Sequence, residues 1–556
     1  MDRRLNIYGT CATVLIFAAI FLFAFNQFKE ADSFYHLKTG QVIWETGIVP
    51  PADIFSYTAA GVPWVTHEWL AEVILYGLYA LAGYWGVMAA VALLAVAAYF
   101  LLWLLAREGG AEPAFAALLL FLVGYLTFEL WIPRPQAFGF FFFALLLFCL
   151  EKYRRRGRSV YLAGVILTMW LWGNSHASVL LGYAVLLLYL TAEAVRWSKP
   201  GWDAAPPAPR LRAFALAGLV ALAAPLLNPN GTDVLFYRSA INSAVETFAV
   251  LEWQPIQSFW FLPQTKVFIL LMLAAVGCLA YWFGWRRLSR DFSLLGLTAG
   301  TFSLPFMSIR HVGFFTLAAG FPLVLAAGGL LANFRQKFSS RRLAAVWLCL
   351  AVIIVLLGWF RSPRSYFNPD TVPVHAADFI AAQNIQGRRF NLYNEGGYLI
   401  WRFYPPDQVS LDGRSEIYAG RPAEEVLAII RGEPAADELV DQKYGINHFL
   451  LAYRPAQLAE SILPLVRRLL TAGWKMVYWD DTSLLIVRDM PAHAGLIEKY
   501  AFYRVSPFTD PSLIPPAEVP AALGELRRIL DSAPQSRVVA AYAVRLLSLH
   551  SDLLEN

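Results

Sequence analysis

The chain has 556 residues, of which 58% are hydrophobic and only 15% charged, with a formal net charge of +5. A soluble fold cannot hide that much apolar surface, so the composition excludes a soluble globular protein and points to an integral membrane protein. The small net charge offers no basic face for nucleic acid, and no nucleic-acid partner is expected. In chain order, Arg3 and Arg4 precede an apolar run from Leu5 to Phe25. No small-residue cleavage site closes that run before Asn26-Gln27-Phe28-Lys29, which predicts a retained first helix and not a signal peptide. A polar segment, Asn26 to Trp69, follows and carries Glu30, Asp32, His36, Asp53, His67 and Glu68 between two strongly apolar regions. Further spans are predicted near Gly86–Ala106, Pro113–Leu130, Gln136–Leu150, Val160–Trp172, Val179–Val195, Ala213–Leu227, Val267–Phe283, Phe292–Met307, Gly313–Leu331 and Ala344–Phe360, about eleven with the first. Leu70 to Tyr84 is apolar enough to cross as well, but a separate span there would invert every later loop against the charge bias. It reads as a helix lying in the interface or beginning the second span.

Basic residues set the orientation. They cluster at Arg3-Arg4, Lys152 to Arg158, Arg196 to Arg212, Arg286-Arg287 with Arg290, and Arg335 to Arg342, whereas the alternate loops carry isolated charges such as Arg134, Arg238 and Arg310. With the clusters in the cytoplasm, the N-terminus is inside and the C-terminus outside. Cys11, Cys149, Cys278 and Cys349 all lie in apolar runs and read as small buried apolar residues, not as disulfides or metal ligands.

After Phe360 the hydropathy collapses at Arg361-Ser362-Pro363-Arg364. Strand-like runs at Arg389–Tyr393, Val409–Leu411, His448–Tyr453, Lys475–Trp479 and Leu484–Val487 alternate with helix-like runs at Ala376–Gln383, Ala423–Ile430 and Ala456–Leu470. The expected organisation is a polytopic α-helical membrane domain over 1–360 with an acidic first external loop over 26–69, an external α/β domain over 361–490, and a helical tail over 491–556. That tail holds Glu518–Ser532 and Arg537–Leu549, patterned like one helical-hairpin repeat.

Spacing narrows the candidate roles. In a helix over Ala31 to Glu45, Asp32 and His36 lie four residues apart and face the same way. Asp32 is the candidate proton acceptor, with Glu30 assisting it. The two acids can instead ligate a divalent cation such as magnesium or manganese, or serve simply as solvated loop-entry acids. His67 and Glu68 stand at the start of an apolar helix, where a carboxylate is favoured by the helix dipole without any catalytic need. They can equally form a second polar cluster facing Asp32. Asp53, after two prolines, reads as a turn-shaping residue. Arg134, His176, Asn228 to Gly231, Glu252-Trp253 and Arg310-His311 all map to span ends on the face of the first loop, which suggests a shared polar cavity. Arg134 and Arg310 are candidates for holding phosphate through a two-pronged guanidinium contact, with His36, His176 and His311 lining the substrate site. Either arginine can also be an interfacial side chain carrying its charge to water.

The runs Glu30-Ala31-Asp32-Ser33-Phe34-Tyr35-His36, Pro50-Pro51-Ala52-Asp53-Ile54-Phe55-Ser56 and Pro63-Trp64-Val65-Thr66-His67-Glu68-Trp69-Leu70 resemble the first external loop of bacterial membrane glycosyltransferases of the C superfamily. That superfamily contains protein mannosyltransferases, aminoarabinose transferases and oligosaccharyltransferase catalytic subunits. The resemblance implies an inverting transferase in the plasma membrane, taking a sugar from a polyprenyl-phosphate or diphosphate donor to an extracytoplasmic glycan, lipid or protein, with an essential acid in the first external loop. Many relatives show Asp-x-Asp where this chain has Glu30-Ala31-Asp32. Phe390-Asn391-Leu392-Tyr393-Asn394-Glu395-Gly396-Gly397-Tyr398-Leu399-Ile400-Trp401 and Leu411-Asp412-Gly413-Arg414 look like the C-terminal domain of uncharacterised bacterial members, with glycines suited to tight turns. Two other classes stay open: a transporter or flippase of lipid-linked glycans, for which matching broken-helix halves are not found, and a noncatalytic envelope assembly protein binding a partner through its C-terminal third. No phosphate-binding loop, dinucleotide fingerprint or zinc-spaced cluster occurs, which disfavours ATP-driven transport and cytosolic nucleotide-sugar use.

Overall fold

The computed structural model describes residues 3–198, 208–234, 251–285, 292–330, 340–368, 371–453 and 456–550. Arg238, Arg286, Arg287, Arg290 and Arg335, used above to orient the chain, lie outside the described residues. The helical part runs α1 (Arg3–Ala24), α2 (Asp32–Thr46), α3 (Trp69–Glu108), α4 (Pro113–Gly124), α5 (Gln136–Arg156), α6 (Ser159–Gly173), α7 (Val179–Ser198), α8 (Ala208–Ala223), α9 (Pro263–Trp285), α10 (Phe292–Ser303), α11 (Val312–Leu330) and α12 (Ser340–Arg361). Seven helices among the described residues are long and apolar enough to cross a membrane, and four shorter apolar ones lie at other predicted spans. Local chemistry marks their ends. Glu112 caps α4 by accepting from the amides of Ala114 and Phe115, ahead of Pro113 in the first turn. Three arginines, Arg154 to Arg156, fill the last turn of α5 before Gly157 takes a left-handed conformation.

Helix α3 takes in the ambiguous segment. Its 40 residues would span about 60 Å at ~1.5 Å per residue, about twice the hydrocarbon thickness of a bilayer. The helix breaks at Ala82 and Gly83, so Leu70 to Leu81 form its leading limb and Tyr84 follows the break. Of the four cysteines, Cys149 is buried as expected, but Cys11 and Cys349 are exposed on the bundle surface, where an apolar run meets lipid as readily as protein. Cys278 is among the residues whose side chains are not described.

Helix α1 packs along α12, and their exits pair: the Phe28 amide donates to the Tyr366 carbonyl at 2.9 Å, and Phe28 and Phe367 bridge in parallel. The first loop and the chain after α12 therefore emerge on one face. There, a four-stranded sheet has the order β1-β2-β4-β3, built from β1 (Arg388–Asn391), β2 (Ile446–Ala452), β3 (Lys475–Trp479) and β4 (Ser483–Val487). Strands β1 and β2 are parallel; β2/β4 and β3/β4 are antiparallel. Helices α13 (Val374–Ala382), α14 (Tyr393–Phe403), α15 (Arg421–Arg431) and α16 (Ala456–Thr471) accompany the sheet, and α17 (Ala494–Tyr500), α18 (Val519–Ser532) and α19 (Arg537–Leu549) follow it.

Two expectations need correction. Val409–Leu411 is not a strand of the sheet; Val409 instead exchanges backbone hydrogen bonds of 3.0 Å with Tyr57 and Phe55 of the first loop. Tyr393 does not end a strand but begins α14, and Gly396 and Gly397 lie inside that helix instead of in turns. They are small because α14 presses on its neighbours: a Cβ at Gly396 would overlap the Leu411 carbonyl, and one at Gly397 the Ala31 carbonyl.

Candidate functional site

The first loop is locked to the C-terminal region before any functional group is set. Asp53 shapes its own turn as expected, accepting from the amides of Phe55 and Ser56 at 3.0 and 3.1 Å. It also meets Nη1 of Arg414 at 2.8 Å. Arg414 grips Asp412 through Nε and Nη2 at 2.8 and 2.6 Å, and its guanidinium lies over the rings of Phe55 and Trp64. Burying a charge is tolerable only when it is fully paired, and this arginine is held by two carboxylates. Its charged form is accordingly favoured: burial opposes it, but Asp412 and Asp53 outweigh that and hold its pKa well above the ordinary value.

Helix α2 is clamped between α3 and α14, with its N-terminus at the cavity. Asp32 and His36 sit one turn apart on it and both line a cavity of about 330 Å³. Also lining it are His67 and Glu68 before α3, Arg134 and Gln136 at α5, His176 before α7, and Glu252, Arg310 and His311. The candidate catalytic and substrate residues apart from Glu30 thus line one cavity, and Glu30 reaches it by pairing with Arg134, whereas the expected Asn228 to Gly231 do not line it: Asn228 and Asn230 donate instead to the Gly173 and Thr66 carbonyls at 3.0 and 3.1 Å.

Two polar groups share the cavity wall. In the first, Arg134 contacts Glu30, meets Oδ2 of Asp32 at 3.0 Å through Nη2, and meets Oε2 of Glu252 at 3.4 Å through Nη1. Arg310 reaches the other oxygen of Glu252 at 3.2 Å, with its guanidinium 4.7 Å from the Trp253 ring. Burial pushes the Asp32 carboxyl up to about 7; Arg134 opposes that rise, and Glu252, Glu30 and Asp412 add to it. Burial also resists ionisation of Glu252, but Arg310 and Arg134 together hold it below its ordinary value. The expected magnesium or manganese between Glu30 and Asp32 does not fit this arrangement, because the Arg134 guanidinium already occupies the position facing both acids. Arg134 also has its fork committed to carboxylates, whereas Arg310 has one carboxylate partner at the cavity edge.

In the second group, Glu68 is ringed by imidazoles. Nε2 of His176 stands 3.3 Å from Oε1, Nε2 of His67 3.5 Å from the same oxygen, and Nε2 of His36 3.5 Å from Oε2. Burial drives the pKa of His36 and of His176 down to about 3, against the pull of Glu68. Burial lowers that of His67 too, but Glu68 and the Val65 carbonyl reverse the sign and leave it raised. Glu68 itself stays ionised, since the three histidines overcome its burial.

Cavity residues given no site role from the sequence include Tyr35, Ser178, Tyr393, Ser415 and Glu416. The last three come from the chain after α12, together with Gly413, whose missing side chain makes room for the Asp32 carboxylate. The Tyr393 hydroxyl donates to the Gly413 carbonyl at 2.8 Å. For Tyr393 and Gly413 the signal was the resemblance of 390–401 and 411–414 to other bacterial C-terminal domains, which carried no site assignment of its own; Ser415 and Glu416 lie just beyond those runs.

No family model matches the sequence, and no curated protein does. Solved structures do match. The archaeal oligosaccharyltransferase AglB from Archaeoglobus fulgidus, in complex with an inhibitory peptide and a dolichol-phosphate, superposes with a TM-score of 0.55 at 13% identity, over 100% of this chain and 86% of that one. An apo crystal structure of the Archaeoglobus fulgidus oligosaccharyltransferase gives 0.53 at 11% identity, over 84% of this chain and 73% of that one. ArnT from Cupriavidus metallidurans in the apo state gives 0.50 at 14%, over 86% of this chain and 97% of that one. The chain therefore shares the fold of these oligosaccharyltransferase and ArnT structures.

Proposed function

We propose that the protein is a membrane glycosyltransferase that moves a sugar from a polyprenyl-phosphate or diphosphate donor to an acceptor on the face of the first loop, in the inner membrane of a bacterium. The observation that carries this reading is Asp32: a carboxyl whose pKa is pushed up to about 7, in a cavity that also holds an arginine at its edge. A base is most effective when its pKa is close to the working pH. In the reaction, the acceptor hydroxyl or amide gives its proton to Asp32 as its oxygen or nitrogen bonds to the anomeric carbon. The bond from that carbon to the phosphate oxygen breaks, and its electron pair leaves with the phosphate. A single displacement of this kind inverts the anomeric centre.

Arg310 suits the departing phosphate, because its planar fork can make two charge-assisted hydrogen bonds. Arg134 takes the part that a cation between Glu30 and Asp32 would otherwise play, holding both acids and offsetting their repulsion. The dolichol-phosphate in the AglB complex supports a lipid phosphate as the donor class. The test compares lipid-linked intermediates and surface glycans by mass spectrometry in cells carrying wild type, Asp32→Asn or no protein. A lipid-linked sugar should accumulate, and one glycan modification disappear, without the wild-type chain. Identical profiles in all three strains would defeat the proposal.

A further inference from the structure

The end of the bundle opposite the cavity holds more positive charge than its own acids neutralise. Glu108 contacts both Lys152 and Arg156, Glu151 meets Arg154 and Arg155 at 2.7 and 3.6 Å, and Glu193 meets Arg154 and Arg196 at 2.7 and 2.8 Å. Each of these carboxylates is therefore shared between two cations. Arg158 and Arg212 are exposed at the same end, and neither pairs with a carboxylate among the described residues.

These two arginines stand on one built corner. Nη2 of Arg210, near the start of α8, donates to the Arg154 carbonyl at 2.7 Å, and the Tyr153 hydroxyl donates to the Arg210 carbonyl at 2.8 Å. A Cβ at Gly157 would meet the Arg210 guanidinium at 2.9 Å, and one at Gly173 would overlap Pro225, so α6 and α8 run side by side in the same direction from that corner. Arg158 opens α6, and Arg212 lies in the first turns of α8. Beyond them both helices turn apolar side chains outward: Val160, Leu167 and Trp170 on α6, Leu216 and Leu219 on α8. Leu216 and Leu219 follow Arg212 by four and seven residues, so one face of α8 presents a guanidinium at its end and an apolar stripe below it.

We infer that the corner of Arg158 and Arg212 binds an anionic phospholipid of the bilayer, with its phosphodiester between the two guanidiniums and its acyl chains along the outward faces of α6 and α8. Arginine suits that phosphate because its fork donates two charge-assisted hydrogen bonds. Basic pockets between helices at the membrane surface recruit negative head groups, and the apolar stripes select an amphiphile over a soluble anion. A zwitterionic lipid satisfies the stripes but not the surplus charge. The corner lies at the far end of α5 from Gln136, so it is separate from the cavity and from the transferase reading.

The test is lipid retention by the whole, delipidated chain in a neutral detergent, read by native mass spectrometry without donor or acceptor. The probes are phosphatidylglycerol and phosphatidylcholine with identical acyl chains, and inorganic phosphate. One phosphatidylglycerol should be retained at concentrations where phosphatidylcholine is not, and millimolar inorganic phosphate should not displace it. Arg158→Gln combined with Arg212→Gln should weaken retention roughly 30-fold, and the paired lysine variants should keep the preference for the negative lipid. Arg310→Gln, in the cavity, should retain it as wild type does. Equal retention of the two lipids by the wild type overturns the inference. So does retention unchanged in the double glutamine variant or lost in Arg310→Gln, and so does complete displacement by inorganic phosphate, which would mark a free-anion site. Should the double glutamine variant fail to fold, the lysine pair and the wild-type competition decide.

Discussion

Asp32, the proposed base, sits in a balance of neighbours that substitution can tip in either direction. Its carboxyl is raised to about 7 by burial, with Arg134 pulling down and Glu252 pushing up. A base works only when deprotonated, so turnover should rise with pH through about 7 and fall tenfold per unit below it. Removing the attraction of Arg134 in Arg134→Gln should move that limb to higher pH by about 1 to 3 units. Glu252→Gln should move it to lower pH, because one repelling carboxylate is gone. Asp32→Asn should abolish turnover at every pH while leaving membrane abundance intact. A pH limb that stays fixed in both neighbour variants would assign it to another group. Arg310 makes a different kind of claim, because it stacks on Trp253, meets the far oxygen of Glu252 and donates to Oε1 of Gln136 at 3.4 Å. Arg310→Lys keeps the charge but not the fork, so the KM for the lipid donor should rise about tenfold, about 1.4 kcal/mol, with kcat little changed. An unaltered donor KM would leave Arg310 as a carrier of charge to the interface.

At the level of elements, the sequence exposed the membrane helices, the acidic loop and the tail hairpin, because hydropathy and periodicity are local signals. Asp32 and His36 were legible together for the same reason: four residues apart on one helix, they share a face. The long-range partners were not. Nothing near Gly397 in the chain reveals that α14 lies against the carbonyl of Ala31, or that Gly413 lies against Asp32 itself. The commitment of Arg134 to carboxylates was equally hidden, since isolated span-end arginines look alike until the fold brings acids to one of them. The close approach of α14 is testable. Gly397→Ala puts a methyl group into the backbone of Ala31 and Asp32, and overpacking of this kind costs roughly 1 to 3 kcal/mol. Thermal stability should fall and transfer drop sharply, since the displaced segment carries Asp32, the proposed base. Gly495→Ala, where a Cβ meets nothing, should match wild type. Equal behaviour of the two variants would mean that the C-terminal region does not position Asp32.

For the whole molecule, the two exits that pair at Phe28 and Phe367 link topology to chemistry. Asp32 is on the first loop and the glycine beside it, Gly413, on the chain after α12, so both must face the same compartment for the cavity to exist. Basic clusters decide which compartment. Arg154, Arg155 and Arg156 close α5 at the opposite end from Arg134 and Gln136, which lie at its cavity end. The positive-inside bias predicts the arginine cluster in the cytoplasm and the cavity outside. In a cysteine-free background, single cysteines at Thr46 on α2 and at Glu433 beyond α15, both exposed, should react with a membrane-impermeant maleimide in intact cells. A cysteine at exposed Arg158 should react only after lysis. The reverse pattern would put the cavity in the cytoplasm and remove the case for an extracytoplasmic acceptor. Labelling of Thr46 and Glu433 from opposite sides would be a deeper contradiction, because one compartment for both is required by the contacts that hold Asp53 to Arg414.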